Sequence, residues 1–178
     1  MRIISGKRRG LKLLSPSGDK TRPTTDRVKE SLFNIIQMRF PCGSVLDLFS
    51  GSGALGIEAL SRGAEKAVFV ELDKDAYEVT RKNLAAGGFL ENAVLLRKNS
   101  LDFLSGCSEK FDVIFLDPPY NRGLLTEALK IIYERGLLKE NGIIAAETEA
   151  GGEEASHPGF EIIKSARYGK TVVTVMQR

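Results

Sequence analysis

The segment Asp117-Pro118-Pro119-Tyr120 has the residue types needed to hold an amino group. It directly follows the apolar residues 111–116, which predict a buried strand. Each proline fixes its φ angle and lacks an N–H group, so the neighbouring carbonyl groups meet no local donor. The Asp117 carboxylate and the Pro118 carbonyl can then accept the two N–H groups of an exocyclic amine, while the Tyr120 ring stacks on the base. The alternative interpretation is a stiff strand-to-helix turn with a half-buried tyrosine.

Residues 47–56, D-L-F-S-G-S-G-A-L-G, place a G-x-G-x-x-G pattern between an apolar run and a helical segment. Glycines in this position allow a tight turn and let a ligand approach the bare backbone. Glu71 lies 20 residues after Gly51, at the end of the next predicted strand. A carboxylate there can accept hydrogen bonds from both hydroxyls of a ribose. The pattern predicts a nucleotide ligand, either a dinucleotide or S-adenosylmethionine.

Asp47 favours S-adenosylmethionine over a dinucleotide. It stands directly before the glycine-rich turn, where a carboxylate attracts an ammonium group and repels a pyrophosphate. The alternative role for Asp47 is a structural cap of the turn.

Strands and helices alternate along most of the chain, which predicts a mostly parallel sheet with helices on both faces. Helices are predicted at 23–40 (ended by Pro41), 54–61, 73–84 and 124–133. Asp73 is expected to cap the third of these, and Gly87-Gly88 to end it. Strands are predicted at 45–48, 67–70, 94–96, 111–116 and 142–146, with a closing pair at 160–163 and 170–175 and β-compatible segments at 3–4 and 11–13.

The composition is that of an ordinary globular domain. The chain has 178 residues, of which 42% are hydrophobic and 28% charged. Two cysteines give no disulfide framework and indicate a reducing, cytoplasmic compartment. A single histidine and two separated cysteines exclude the usual zinc sites, and we expect no metal, no secretory signal and no membrane span.

The charge is unevenly distributed. Residues 1–30 contain nine basic and three acidic residues, a balance of +6, against a net charge of +3 for the whole chain. A basic segment on a slightly acidic body suggests a polyanionic partner. The alternative is a solvated basic loop.

These motifs together resemble a known family. The D-P-P-Y segment resembles the [DNS]-P-P-[YFW] motif of amino-group methyltransferases that use S-adenosylmethionine, and residues 45–56 resemble their glycine-rich cofactor motif. Residues 1–10 and 21–34, which include R-P-T-T-D-R-V-K-E, are similar to the RsmD family, as are the residues Arg167-Tyr168-Gly169 near the end of the chain. Members of that family methylate N2 of guanine 966 in 16S ribosomal RNA.

The resemblance implies an α/β, Rossmann-like class I methyltransferase fold, with a mostly parallel seven-stranded sheet flanked by helices and a small N-terminal hairpin and helix extension. It implies a single domain, in which residues 1–40 form a basic extension for RNA and residues 41–178 the catalytic core. The implied partner is 16S ribosomal RNA within small-subunit particles. We expect a monomer, because the sequence has no obvious association stripe.

Three sets of site residues are expected on these grounds, with Phe49 serving packing more than recognition. The catalytic set is Asp117, Pro118, Pro119 and Tyr120. The set for S-adenosylmethionine is Asp47, Phe49, Ser50, Gly51, Gly53, Glu71, Leu72, Asn99, Ser100 and Asp117, with the adenine near Asn99-Ser100. The RNA-binding set is Arg8, Arg9, Lys12, Arg22, Thr24, Arg27 and Arg167.

Three other functions fit parts of the pattern. A nicotinamide-dependent oxidoreductase binds its cofactor with the same kind of strand–turn–helix motif, but Asp47 and the D-P-P-Y segment argue against this function. An adenine-N6 or other amino-group nucleic-acid methyltransferase uses the same two acceptors, the Asp117 carboxylate and the Pro118 carbonyl. The adenine-N6 DNA enzyme is disfavoured because this chain lacks the extra length for a separate DNA recognition domain. A non-catalytic RNA-binding module has no need of Asp117 and Glu71.

Overall fold

The computed structural model describes residues 1–16, 26–119 and 123–178. These ranges contain one seven-stranded sheet and five α-helices. The strands are β1 (Ser44–Asp47), β2 (Lys66–Glu71), β3 (Ala93–Arg97), β4 (Phe111–Leu116), β5 (Leu138–Glu149), β6 (Glu161–Tyr168) and β7 (Thr171–Gln177). The helices are α1 (Asp26–Ile35), α2 (Ala54–Ser61), α3 (Lys74–Gly87), α4 (Ser100–Gly106) and α5 (Leu124–Arg135). None of these helices has the length and apolarity to cross a membrane.

The strand order is β3-β2-β1-β4-β5-β7-β6. Strands β1 to β5 are parallel, and β7 is antiparallel to both of its neighbours. The predicted mostly parallel seven-stranded sheet is therefore confirmed. The order reverses between β1 and β4, where Asp47 pairs with Phe115. In open α/β sheets a ligand binds at the carboxyl ends of the strands at such a reversal.

Two apolar layers cover the two faces of the sheet, because alternate residues of a strand point to opposite sides. One face packs against α1, α2, α3 and the N-terminal residues Ile3 and Leu13. The other packs against α4, α5 and the loop residues Ala155 and Phe160. The N-terminal segment thus contributes side chains to the same core as the central strands.

Helices α2, α3 and α5 lie where they are predicted, with α5 ending two residues later, at Arg135, whereas the first helix and α4 differ from the predictions. The first helix was expected to run to Pro41, but α1 ends at Ile35 and a 3-10 turn, Gln37–Arg39, follows. Phe40 is extended, as a residue before proline prefers, and this ends the helical conformation early. Helix α4 was not predicted at all. Asp73 caps α3 as expected, and α3 extends beyond Leu84 to Gly87.

A buried ion pair joins the N-terminal segment to α1 and α2. The fully buried Lys29 ammonium lies 3.5 Å from Oε2 of the equally buried Glu58 and donates to the Arg2 carbonyl at 2.6 Å. Glu58 also accepts the backbone N–H groups of Ile4 and Ser5, at 2.7 and 3.0 Å. Lys29 is one of the nine basic residues of the segment 1–30. Because its side chain is inside the protein, it cannot contribute to a basic surface.

Strands β3 and β6 form the two edges of the sheet. Most of β6 is exposed, including Ile162 and Ile163 at 48% and 45%. The pairing of β6 with β7 shifts register between Ile162 and Lys164.

Candidate active site

The predicted site residues come from the carboxyl ends of neighbouring strands. Asp47 is the last residue of β1, Glu71 the last of β2, and Asp117 follows the last residue of β4. Since β1 lies between β2 and β4, the structure brings these three carboxylates to one end of the sheet.

The glycine-rich turn, residues 48–53, is held by side chains from β2 and α3. Glu71 Oε2 accepts the Gly51 N–H at 2.8 Å, while its Oε1 accepts the Asp73 N–H at 2.8 Å. The Thr80 hydroxyl donates to the Gly51 carbonyl at 2.8 Å, and the Asn83 amide donates to the Ser52 carbonyl at 2.9 Å. These bonds orient the turn, and they leave further lone pairs on the Glu71 carboxylate for ribose hydroxyls.

Thr80 and Asn83 were missed in the sequence. Both are buried polar residues of α3. Their spacing of i and i+3 puts them on one face of the helix, next to the apolar Ala76 and Leu84. Two polar residues within the buried face of a helix beside a glycine-rich turn are the signal that could have identified them.

Two glycines of the motif serve packing. A Cβ on Gly53 would lie 2.8 Å from Thr80 Cγ2, and a Cβ on Gly56 would overlap the Phe69 ring. Gly53 also has a φ of 75°, which disfavours other residues. The missing side chain of Gly53 thus makes room for α3, and its contact with the ligand stays a prediction. A Cβ on Gly51, by contrast, meets nothing within 4 Å.

Asp47 is 2% exposed, and its Oδ2 accepts the Gly56 N–H at 2.9 Å. Burial raises the pKa of this carboxyl to about 7, with smaller contributions from the Asp117 and Glu71 charges. The alternative role proposed for Asp47, a cap of the turn, is thus present in the structure. Its contact with an ammonium group stays a prediction.

Asn99 and Ser100 have structural partners. The Asn99 side chain caps α4 by accepting the N–H groups of Leu101 and Asp102. The Ser100 hydroxyl donates to the Leu48 carbonyl at 2.8 Å and so ties α4 to the end of β1. Their contact with adenine stays a prediction. Phe49 is half-buried against the core of the α4–α5 face, in keeping with a packing role.

The acceptor pair, which is the Asp117 carboxylate and the Pro118 carbonyl, lies beside a small, partly open cleft. Asp117 is half-buried, Pro118 is buried and Pro119 is exposed, while Tyr120 lies outside the described residues. The cleft is lined by Pro118, Pro119, Leu125, Glu147, Thr148, Glu149 and Glu153.

The residues around the glycine-rich turn fit a nucleoside-containing ligand. The Ser50 hydroxyl is buried and has no hydrogen-bond partner among the residues that the structure describes. A buried polar atom without a partner is costly, so a ligand that supplies one is favoured here. Leu72, directly after Glu71, is 60% exposed and offers apolar surface to a base. Within the described ranges, no group of three or more His, Cys, Asp or Glu is placed to hold a metal ion.

Exposed basic residues of the predicted RNA-binding set include Arg9, Lys12 and Arg27. Arg167 is also exposed, and its Nε donates to the Gly169 carbonyl at 2.9 Å. Arg22 and Thr24 lie outside the described residues.

Arg8 sits at the opposite end of the sheet from the glycine-rich turn. Its Nε donates to the Gly87 carbonyl at 2.8 Å, at the end of α3. Helix α3 has 14 residues and begins beside Glu71. A helix of that length spans roughly 20 Å, so Arg8 cannot touch a base bound near Glu71. Any contact of Arg8 with RNA is therefore distant from the carboxyl ends of the strands.

Comparisons with known proteins agree with this architecture. The model of the family described as Conserved hypothetical protein 95 matches residues 1–177. Ribosomal RNA small subunit methyltransferase D of Haemophilus influenzae is 44% identical over 172 residues, which cover 95% of this chain and 89% of that protein. The protein of the same name from Escherichia coli K12 is 41% identical over 152 residues, covering 84% and 75%.

Solved structures show the same fold. The yhhF structure from Escherichia coli, described provisionally as a methyltransferase, superposes with a TM-score of 0.89 at 36% identity and covers 100% of this chain and 97% of its own. The fold is that of class I methyltransferases, as the sequence resemblance implied. The chain therefore belongs to the Conserved hypothetical protein 95 family, which includes the RsmD enzymes.

Proposed function

We propose that this chain transfers a methyl group from S-adenosylmethionine to the exocyclic N2 of a guanine in 16S ribosomal RNA, at the position corresponding to guanine 966, within small-subunit particles. The observation that carries the proposal is the position of Asp117 and Pro118 at the end of β4, beside the β1 strand that leads into the glycine-rich turn. The names of the two relatives above support the RNA substrate.

The acceptor pair gives the chemistry. The lone pair of an exocyclic guanine amine is delocalised into the ring, which makes the amine a poor nucleophile. When Asp117 and the Pro118 carbonyl accept its two N–H groups, the lone pair is localised on nitrogen and directed away from them. Asp117 orients the amine and accepts a proton from the nitrogen as the new bond forms, because the amine becomes acidic only when the methyl group arrives. Positioning effects of this kind can lower the activation barrier by roughly 7–11 kcal/mol.

The glycine-rich turn and the end of β2 hold the donor. Glu71 is fixed by two backbone N–H groups and accepts the ribose hydroxyls, while the Ser50 hydroxyl gains a partner. S-adenosylmethionine, when bound, supplies the methyl group from its sulfonium. The target amine must leave any base pair before it enters the cleft, so a flipped or loop guanine is expected, stacked on Tyr120.

Basic residues hold the RNA outside the cleft. Arg9, Lys12, Arg27 and Arg167 are exposed and can neutralise phosphates. Arg8 has its Nε bound to α3, so its remaining N–H groups can reach only phosphates distant from the target guanine. The N-terminal residues then contribute both core packing and RNA contacts.

Labelled methyl transfer to small-subunit particles that lack the modification, followed by nucleoside mass analysis, tests the proposal. Wild-type protein should give N2-methylguanosine. Asp117→Ala should still bind S-adenosylmethionine in calorimetry, yet its turnover should fall at least ~100-fold, the scale for losing one positioned polar group.

The exposed Glu134 of α5 provides the control, since Glu134→Gln removes a carboxylate far from the cleft and should leave turnover unchanged. Near-normal turnover of Asp117→Ala would contradict the role of the acceptor pair. A labelled product on adenine N6 would contradict the choice of substrate.

A further inference from the structure

Glu147 is a buried carboxylate in the wall of the cleft, and the methyl transfer proposed above gives it no role. Its exposure is 3%, and it lines the cleft together with Pro118 and Pro119. It belongs to the central strand β5, between β4 and β7. Its carboxyl group therefore belongs to the wall of the cleft and not to the solvent-exposed surface.

The register places Glu147 next to Asp117. Leu116, the last residue of β4, pairs with Ala146 of β5, and Asp117 and Glu147 are the residues that follow them. Phe115 and Ala145 belong to the core on the α1–α3 face, and alternation puts Asp117 and Glu147 on that same side. Neighbouring strands are roughly 5 Å apart, so a second acceptor stands one strand away from the first.

The base edge of guanine matches two adjacent acceptors. Its exocyclic N2 carries two N–H groups, and the neighbouring ring nitrogen N1 carries a third donor. With the N2 amine held by Asp117 and Pro118, the N1–H must find an acceptor in the wall of the cleft or be buried without one, at a cost. A carboxylate accepts hydrogen bonds only, so Glu147 suits that donor.

Adenine presents the opposite pattern. Its exocyclic N6 amine is flanked by N1, which has a lone pair and no hydrogen. A carboxylate facing that lone pair makes no hydrogen bond and repels it. Asp117 and the Pro118 carbonyl can therefore hold the amine of either base. The group that faces the ring nitrogen N1 determines which of the two bases is accepted.

We propose that Glu147 is a specificity-determining residue, which accepts the ring N1–H of the target guanine and so selects guanine N2 over adenine N6. This inference rests on the proposed function and names the group that sets its substrate.

The test compares guanine with 2-aminopurine, which keeps the N2 amine but lacks O6 and has a lone pair in place of the N1–H, so the contribution of Glu147 is the change in preference between wild type and variant. Small-subunit RNA ligated from synthetic pieces carries one or the other base at the methylated position, is assembled into particles, and is methylated by wild type and by Glu147→Gln. Wild type should prefer guanine in kcat/KM by roughly ten- to hundredfold, the value of one hydrogen bond to a charged group. In Glu147→Gln, whose amide can donate as well as accept, that preference should fall to within about threefold of unity.

Glu149→Gln is the matched control, because it removes the same charge from the same cleft two residues along β5. It should keep the wild-type preference. A purely structural role of Glu147 would lower both substrates equally and leave the ratio unchanged, and that result overturns the inference. If wild type methylates no guanine N2 in these particles, the proposed function fails instead, so the two failures are distinguishable.

Discussion

Asp47→Asn tests how the buried carboxyl at the end of β1 contributes to stability. Burial raises the pKa of Asp47 in the folded protein to about 7, whereas an unfolded chain has a value near 3.9. The folded protein therefore keeps a proton that the unfolded chain releases between about pH 4 and pH 7. Stability from this group is complete at low pH, falls as the pH rises through that window, and is lost above pH 7.

The size of the effect follows from linkage. Between pH 5 and pH 8 the Asp47 carboxyl should lower the free energy of unfolding by about 3 kcal/mol. Asparagine has nearly the same shape, keeps an oxygen that can accept the Gly56 N–H, and does not titrate. The free energy of unfolding of wild type minus that of Asp47→Asn should thus decrease by that amount across the same range.

Urea denaturation at pH 5, 6, 7 and 8 and constant ionic strength measures this difference, and the subtraction removes the titration of all other groups. A difference that does not vary with pH would refute the reasoning. Calorimetry with S-adenosylmethionine at pH 8 then separates the two roles of Asp47. Weaker binding to Asp47→Asn supports a contact with the ammonium group, whereas equal binding leaves Asp47 as a cap of the turn.

Two further predictions concern the N-terminal segment. Lys29→Met keeps the apolar stem but leaves Glu58 buried without its ammonium partner, so urea denaturation should show a loss of about 3 kcal/mol, against less than ~0.5 kcal/mol for the exposed Lys130→Met. A loss below about 1 kcal/mol would mean that Arg62, at 2.8 Å, suffices for Glu58. Replacing both Arg9 and Lys12 by glutamine should reduce the salt dependence of RNA affinity by up to about 1.4 log units per decade, with Lys130→Gln as control. Parallel lines for mutant and wild type would show that both side chains are simply solvated.

Local signals explain which elements the sequence predicts well. Helix α2 and strand β4 have the predicted bounds, because a glycine-rich turn, a run of apolar residues and a following D-P-P segment mark their ends. The Asp73 cap of α3 is equally local, since its side chain accepts the N–H groups of Asp75 and Ala76. Helix α4 has only seven residues, too few for its apolar spacing to stand out, although Asn99 in front of it is a good cap.

Tertiary partners explain what the sequence does not predict. Lys29 looks like any surface lysine until Glu58, 29 positions later, is placed beside it by α2. Asp47, Glu71 and Asp117 lie at one end of the sheet because β1, β2 and β4 are parallel, which the alternation of strands and helices already implies. The partners of Asn99 and Ser100 depend on how α4 approaches β1, and no local pattern specifies that approach.

The irregular outer strand β6 has a consequence for self-association. An exposed strand edge offers unpaired backbone groups to another chain, and a flat apolar edge invites aggregation. Here the exposed Ile162 and Ile163 lie at the register shift and are flanked by the charged Glu161 and Lys164. The register shift twists this edge, and the two charged side chains must lose water before a second strand can pair with it. The edge therefore resists fibril-like stacking, even though it carries two large apolar side chains.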